Sequence, residues 1–121
     1  MALSKEESLK MVEITKKALE DRKAIDLKVI DISEVSTIAD YFVIASGSNS
    51  SQIDALVDNV EREMTLKGYE PNHIEGKGGE NWILLDYGDV IVHVFDIQSR
   101  EYYDIERMWR DGIEIVSEQR D

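Results

Sequence analysis

The sequence predicts an α/β (α+β) fold, a mixed sheet of about five strands with helices packed on it. Two observations carry that prediction. From Trp82 to Phe95, two apolar runs flank a short centre containing Tyr87 and Gly88, the pattern of a β-hairpin. Farther upstream, Ile53, Leu56, Val57, Val60 and Met64 recur at the spacing of one helix face.

The remaining elements follow in order. Ser4 and Glu7 form an S-x-x-E capping box, so a helix is expected to start there and run to about Arg22. Its inward stripe reads Leu9, Val12, Ile14, Ala18 and Leu19. Leu27 to Ile32 reads as a strand, 33–40 as a polar connection, and Tyr41 to Ala45 as a strand covered on both faces. A serine-rich turn, Ser46 to Ser51, leads into the second helix, where Asn49 and Gln52 are a cap pair. Gly68 is placed to end that helix. Pro71 opens a short strand through Ile74, and Gly76 to Gly79 form a loop into the hairpin. After Phe95, Ile97, Tyr102, Ile105, Met108 and Trp109 include helical spacings, and the tail from Ser117 to Asp121 is polar. The order is αββαβββα.

Within the hairpin, a two-residue Tyr87-Gly88 loop would set Asp86 opposite Asp89, Leu84 opposite Ile91 and Trp82 opposite His93. A three-residue loop would instead face Leu85 with Asp89. Period-two alternation puts Ile83, Leu85, Val90 and Val92 on an apolar core face. The other face mixes indole, imidazole and carboxylates, and is expected to be open to a partner.

With 121 residues the chain has room for a single domain over 1–121, its core at about 5–110. A formal charge of −12 argues against recognition of a nucleic-acid backbone and favours a basic protein partner. There is no cysteine, hence no disulfide or thiolate chemistry. The first residues lack the apolar core of a secretory signal, and no apolar run is long enough to span a bilayer. A soluble, cytoplasmic protein is expected.

Catalytic chemistry finds little support. The Ser46–Ser51 turn is a strand-to-helix connection that could face a phosphate, yet it matches no phosphate-loop pattern and has no lysine. A helix cap is the simpler reading. Nucleotidyl transfer would need acids on neighbouring strands holding Mg²⁺, whereas Asp54 and Asp58 sit one turn apart on a helix. Asp86 and Asp89 could hold a cation, remain solvated at a turn, or meet a basic group, either Arg100 or Arg107 of this chain or a partner's. His73 and His93 have no nucleophile placed beside them. By contrast Trp82, Tyr87, Arg100, Tyr102, Tyr103, Arg107 and Trp109 crowd the last third with residue types enriched at interface hot spots.

Three ordered motifs add a family resemblance. Ala39 to Ser48 resembles A-D-x-[FM]-[VI]-I-x-[ST]-G-[ST]. Trp82 to Phe95 resembles W-x-[LV]-[LV]-D-x-G-D-[VI]-[VI]-V-H-[VI]-[FM]. Arg100 to Trp109 resembles R-x-[FLY]-Y-x-[LI]-E-x-[LM]-W. Together they resemble the ribosomal silencing factor, or Iojap-like, family over about residues 5 to 110. The resemblance implies a nucleotidyltransferase-like topology without that active site, no enzymatic activity and no cofactor. It also implies binding to the large ribosomal subunit at ribosomal protein L-fourteen, on the face that docks the small subunit. Subunit joining would be blocked and translation lowered when nutrients are scarce. Members can form homodimers. By motif position the partner-binding surface would comprise Trp82, Asp86 and Asp89, with Tyr103, Glu106 and Trp109 beside them. One departure, Asp96-Ile97 in place of polar residues, suggests a more buried start to the last helix.

Overall fold

A computed structural model describes residues 5–78, 81–108 and 113–115. The elements are α1 (Lys5–Asp21), β1 (Ile25–Asp31), β2 (Tyr41–Gly47), α2 (Ser50–Leu66), β3 (His73–Glu75), β4 (Trp82–Asp86), β5 (Val90–Asp96), α3 (Ile97–Tyr103), α4 (Ile105–Met108) and β6 (Ile113–Ile115). The strands form one mixed sheet in the order β3-β4-β5-β2-β1-β6. β2 and β5 run parallel at its centre, and the other neighbours are antiparallel. The five expected strands are present, and β6 adds a short sixth against β1.

All seven residues of β2 are buried, as a central strand covered on both faces requires. One sheet face carries α1 and α2. Their core includes Met11, Val12, Ala18 and Leu19 from α1, Ile53, Leu56, Val57, Val60 and Met64 from α2, and Ile83, Leu85, Tyr87, Val90, Val92 and Val94 from the hairpin. The α2 stripe is the expected one. The α1 stripe is rotated: Leu9 is exposed and Ile14 half-buried, while Met11 and Thr15 take the inward positions. Asn59 is buried between the helices because its Nδ2 donates to the Ala18 carbonyl at 2.8 Å, replacing the water that burial removed.

The ends of α2 follow from local hydrogen bonding. Asn49 Oδ1 accepts from the Gln52 amide at 2.8 Å, and the Gln52 side chain accepts in return from the Ser48 amide. At the far end Tyr69 N–H donates to the Met64 carbonyl and Gly68 N–H to that of Thr65, a Schellman closure. Ser4, the expected cap of α1, lies outside the described residues.

The hairpin register differs from both expected pairings. Tyr87 N–H donates to the Val90 carbonyl at 2.9 Å, so the loop is Gly88-Asp89. Gly88 adopts φ +91°, at the first central position, where a two-residue turn favours glycine. Moving the loop by one residue moves every partner by two: Asp86 pairs with Ile91, Leu84 with His93, and Trp82 with Phe95. A shift of two preserves which face each side chain occupies. The faces are therefore as expected, but Asp86 and Asp89 are not a cross-strand pair. Nor is Arg100 their counter-charge.

The second sheet face carries a smaller core of Ile30, Ile32, Ala39, Phe42, Ile44, Ile91, Phe95 and Ile105, with Trp82 and Leu84 packed at its margin. The expected single C-terminal helix is instead α3 and α4, broken at Asp104, whose backbone is left-handed at φ 47° and ψ 52°. The start of α3 is not buried: Ile97 is 46% exposed. Asp96 caps it, accepting from the Ser99 amide at 2.6 Å.

Candidate docking site

The margin of the second face is an aromatic cluster. The Trp82 ring lies 4.9 Å from that of Phe95, stacked at 28°, and 4.8 Å from that of Tyr103. Phe95 reaches it as the direct cross-strand partner, and Tyr103 from the end of α3. Beneath them His93 is 3% exposed, with Phe42 edge-on at 4.6 Å. Trp82 Nε1–H donates to His93 Nδ1 at 3.1 Å, a diagonal contact in the register. Burial pushes the His93 pKa down to about 3, so the ring is neutral and accepts at Nδ1. Trp82 remains half-buried, Tyr103 is 45% exposed, and Tyr102 projects beyond them, 82% exposed.

Asp86 and Asp89 lie at the other end of β4. Asp86 shares the Trp82 face by alternation, about 13 Å along the strand. Its Oδ1 accepts from the Gly88 amide at 2.8 Å, which holds the loop closed. The Asp89 carbonyl accepts from the Asp40 and Tyr41 amides at 2.8 and 3.0 Å, tying the loop to the start of β2. Both residues are half-buried.

Glu106 is engaged inside the chain. Its Oε1 and Oε2 accept from Arg100 Nε at 3.1 Å and from a second guanidinium nitrogen at 2.9 Å. Arg100 is 7% exposed and also donates to Ser46 Oγ and the Ile25 carbonyl. It is a structural cation linking α3 to α4, β1 and β2, not a surface anchor. Tyr87, also counted among the aromatic candidates, is buried on the opposite face. The structure thus brings Trp82 and Tyr103 together and leaves Asp86, Asp89 and Glu106 at other positions. Trp109 lies outside the described residues.

The serine turn offers no ready anion cradle. Ser46 Oγ accepts from Arg100, Ser48 is bonded by Gln52, and Asn49 caps α2. Gln52 also reaches back to the Lys23 carbonyl, anchoring the end of α1. Asp54 and Asp58 are exposed. Among the described residues no group of three or more His, Cys, Asp or Glu could hold a metal, and no helix is long and apolar enough to cross a membrane. Sequence reasoning placed His93 near Trp82 but assigned the pair no role, because the bond depends on a diagonal of the true register.

Fold and site define a small mixed α/β protein whose last hairpin presents a half-buried tryptophan at the margin of a packed aromatic layer. The model of the family described as ribosomal silencing factor during starvation matches residues 5–121, and the chain belongs to that family. It is 34% identical over 102 residues to ribosomal silencing factor RsfS of Bacillus subtilis, covering 84% of this chain and 86% of the relative. It is 38% identical over 105 residues to the protein of that name from Zymomonas mobilis, covering 86% and 78%. A crystal structure of a Chromobacterium violaceum protein superposes with a TM-score of 0.81 at 34% identity, covering 84% of this chain and 85% of that one.

Proposed function

We propose that this protein is a ribosomal silencing factor that binds the large ribosomal subunit at ribosomal protein L-fourteen and sterically prevents the small subunit from joining. Translation is lowered in this way under nutrient limitation. No bond is made or broken, so the protein acts without catalysis or cofactor. The observation that carries the reading is the Trp82–Tyr103 pair, half open to solvent at the edge of an otherwise packed face, in a chain whose relatives bear that name. Tryptophan and tyrosine in such settings are the residues that dominate interface energies.

Farther along the hairpin Asp86 and Asp89 add negative charge, and motif position adds Glu106 and Trp109 to the proposed surface. A net charge of −12 draws the domain toward a basic partner and raises the rate of encounter. An interface of roughly 1,600 Å² in total would suffice for stable docking. The free protein is proposed to work in the cytoplasm and to be able to pair with a second copy.

Sedimentation of purified subunits tests the function. Added protein is expected to shift joined ribosomes toward free subunits and to travel with the large one. Unchanged joining at saturating protein would end this reading.

A further inference from the structure

We propose that His93 is a positioning residue for docking: its Nδ1 holds the Trp82 indole in the orientation that meets the partner. The inference deepens the docking function and rests on Trp82 being its anchor. His93 sits in a layer of Phe42, Ile44, Ile91, Phe95 and Leu84, where packing alone asks for an apolar ring. With Nδ1 accepting from Trp82, the ring proton is on Nε2. That N–H is buried and has no hydrogen-bond partner among the described residues. Phenylalanine would fill the same place, against Phe42 and Phe95, without stranding a donor. The imidazole therefore costs stability where it stands, and the polar contact it provides goes to Trp82.

That contact does something the stacked rings cannot. Phe95 stacks on the indole at 28° and Tyr103 packs against it tilted at 46°, and such ring contacts tolerate sliding and a flipped ring. The N–H bond is directional and turns the pyrrole edge toward β5. An anchor already fixed in its bound orientation loses less freedom on association.

The test uses the full chain labelled with ¹⁵N-tryptophan, the Trp82 indole resonance being identified by its loss in Trp82→Phe. His93→Phe is expected to move that resonance, speed its hydrogen exchange, leave the thermal midpoint equal or higher, and weaken binding to purified large subunits about fivefold, the scale of one freed side chain. His93→Asn, which keeps an acceptor near the Nδ1 position, should restore part of the binding and of the exchange protection. In a Trp82→Phe background, His93→Phe should cost no further affinity. An unmoved indole resonance in His93→Phe, or an equal affinity loss in both backgrounds, overturns the positioning role. Unchanged binding in Trp82→Phe alone shows that Trp82 is not the anchor and overturns the positioning role with it, whereas no binding of the parent protein to large subunits overturns the docking function, so the two failures are separate observations.

Discussion

Arg100 and Glu106 close a two-bond fork, at 3.1 and 2.9 Å, across the left-handed residue Asp104 that divides α3 from α4. The fork lies beside Ser46 at the end of β2, so one cation joins two helices to the centre of the sheet. It also fixes where α3 ends, and hence where Tyr103 meets Trp82.

Arg100→Ala is expected to destabilise the fold by about 3 kcal/mol, because it leaves a part-buried carboxylate without its cation. Denaturant unfolding measures this, and a loss below about 1 kcal/mol would mean that solvent replaces the guanidinium.

Glu106 gives the same fork a pH signature. Burial raises its carboxyl pKa, but the hydrogen bonds and charge of Arg100, helped by Lys28, outweigh burial and leave it lowered. A carboxylate lowered on folding stabilises above its unfolded value, about 4.3, and that contribution fades as pH falls through the folded one. Glu106→Gln should therefore cost most at neutral pH and converge on the parent protein in acid. A pH-independent difference would assign the cost to packing.

Trp82→Ala is expected to weaken large-subunit binding by at least about 2 kcal/mol, the loss typical of a central aromatic anchor. Circular dichroism checks that the sheet survives. Unchanged affinity in a folded variant would make Trp82 a core residue only.

Asp86→Asn separates charge from structure. Asparagine keeps the Oδ1 acceptor for the Gly88 amide, so the turn should persist. The association rate with large subunits should fall about twofold to threefold and depend less on salt, with little change in dissociation. Rapid-mixing measurements at two ionic strengths decide it; an effect confined to dissociation would place Asp86 in direct contact.

Gly76 tests how the loop before β4 fits Trp82. A Cβ there would stand 2.3 Å from the Trp82 carbonyl oxygen, at φ +82°, whereas Gly78 has φ +92° and nothing among the described residues within 4 Å. Gly78→Ala should cost only the left-handed penalty of about 1 kcal/mol. Gly76→Ala should cost clearly more, and equal losses would show that the loop yields.

Much of this architecture is legible in the chain because it rests on short-range periodicity. The α2 stripe, the Asn49 cap, the closure at Gly68 and the two faces of the hairpin all follow from spacings of a few residues. Parity explains why the faces survived a wrong register: a slip of two moves every pair and turns none over. The break at Asp104 was hidden, since aspartate carries no strong signal for a left-handed backbone. Strand β6 was hidden too, because three residues against an edge leave almost no pattern.

The candidate site divides in the same way. Composition and motif order suffice to mark Trp82, Tyr103 and the acids as residues of interest, and to set the class of fold. Their grouping came from long-range packing. Loop placement made Phe95 the neighbour of Trp82, α3 brought Tyr103 against it, and Arg100 drew Glu106 inward from 6 residues away. The hydrogen bond from Trp82 to His93 arises only when the two strands lie in their true register. Local spacing records which way a side chain points, and the balance of packing and buried polar groups across the sheet selects what it touches.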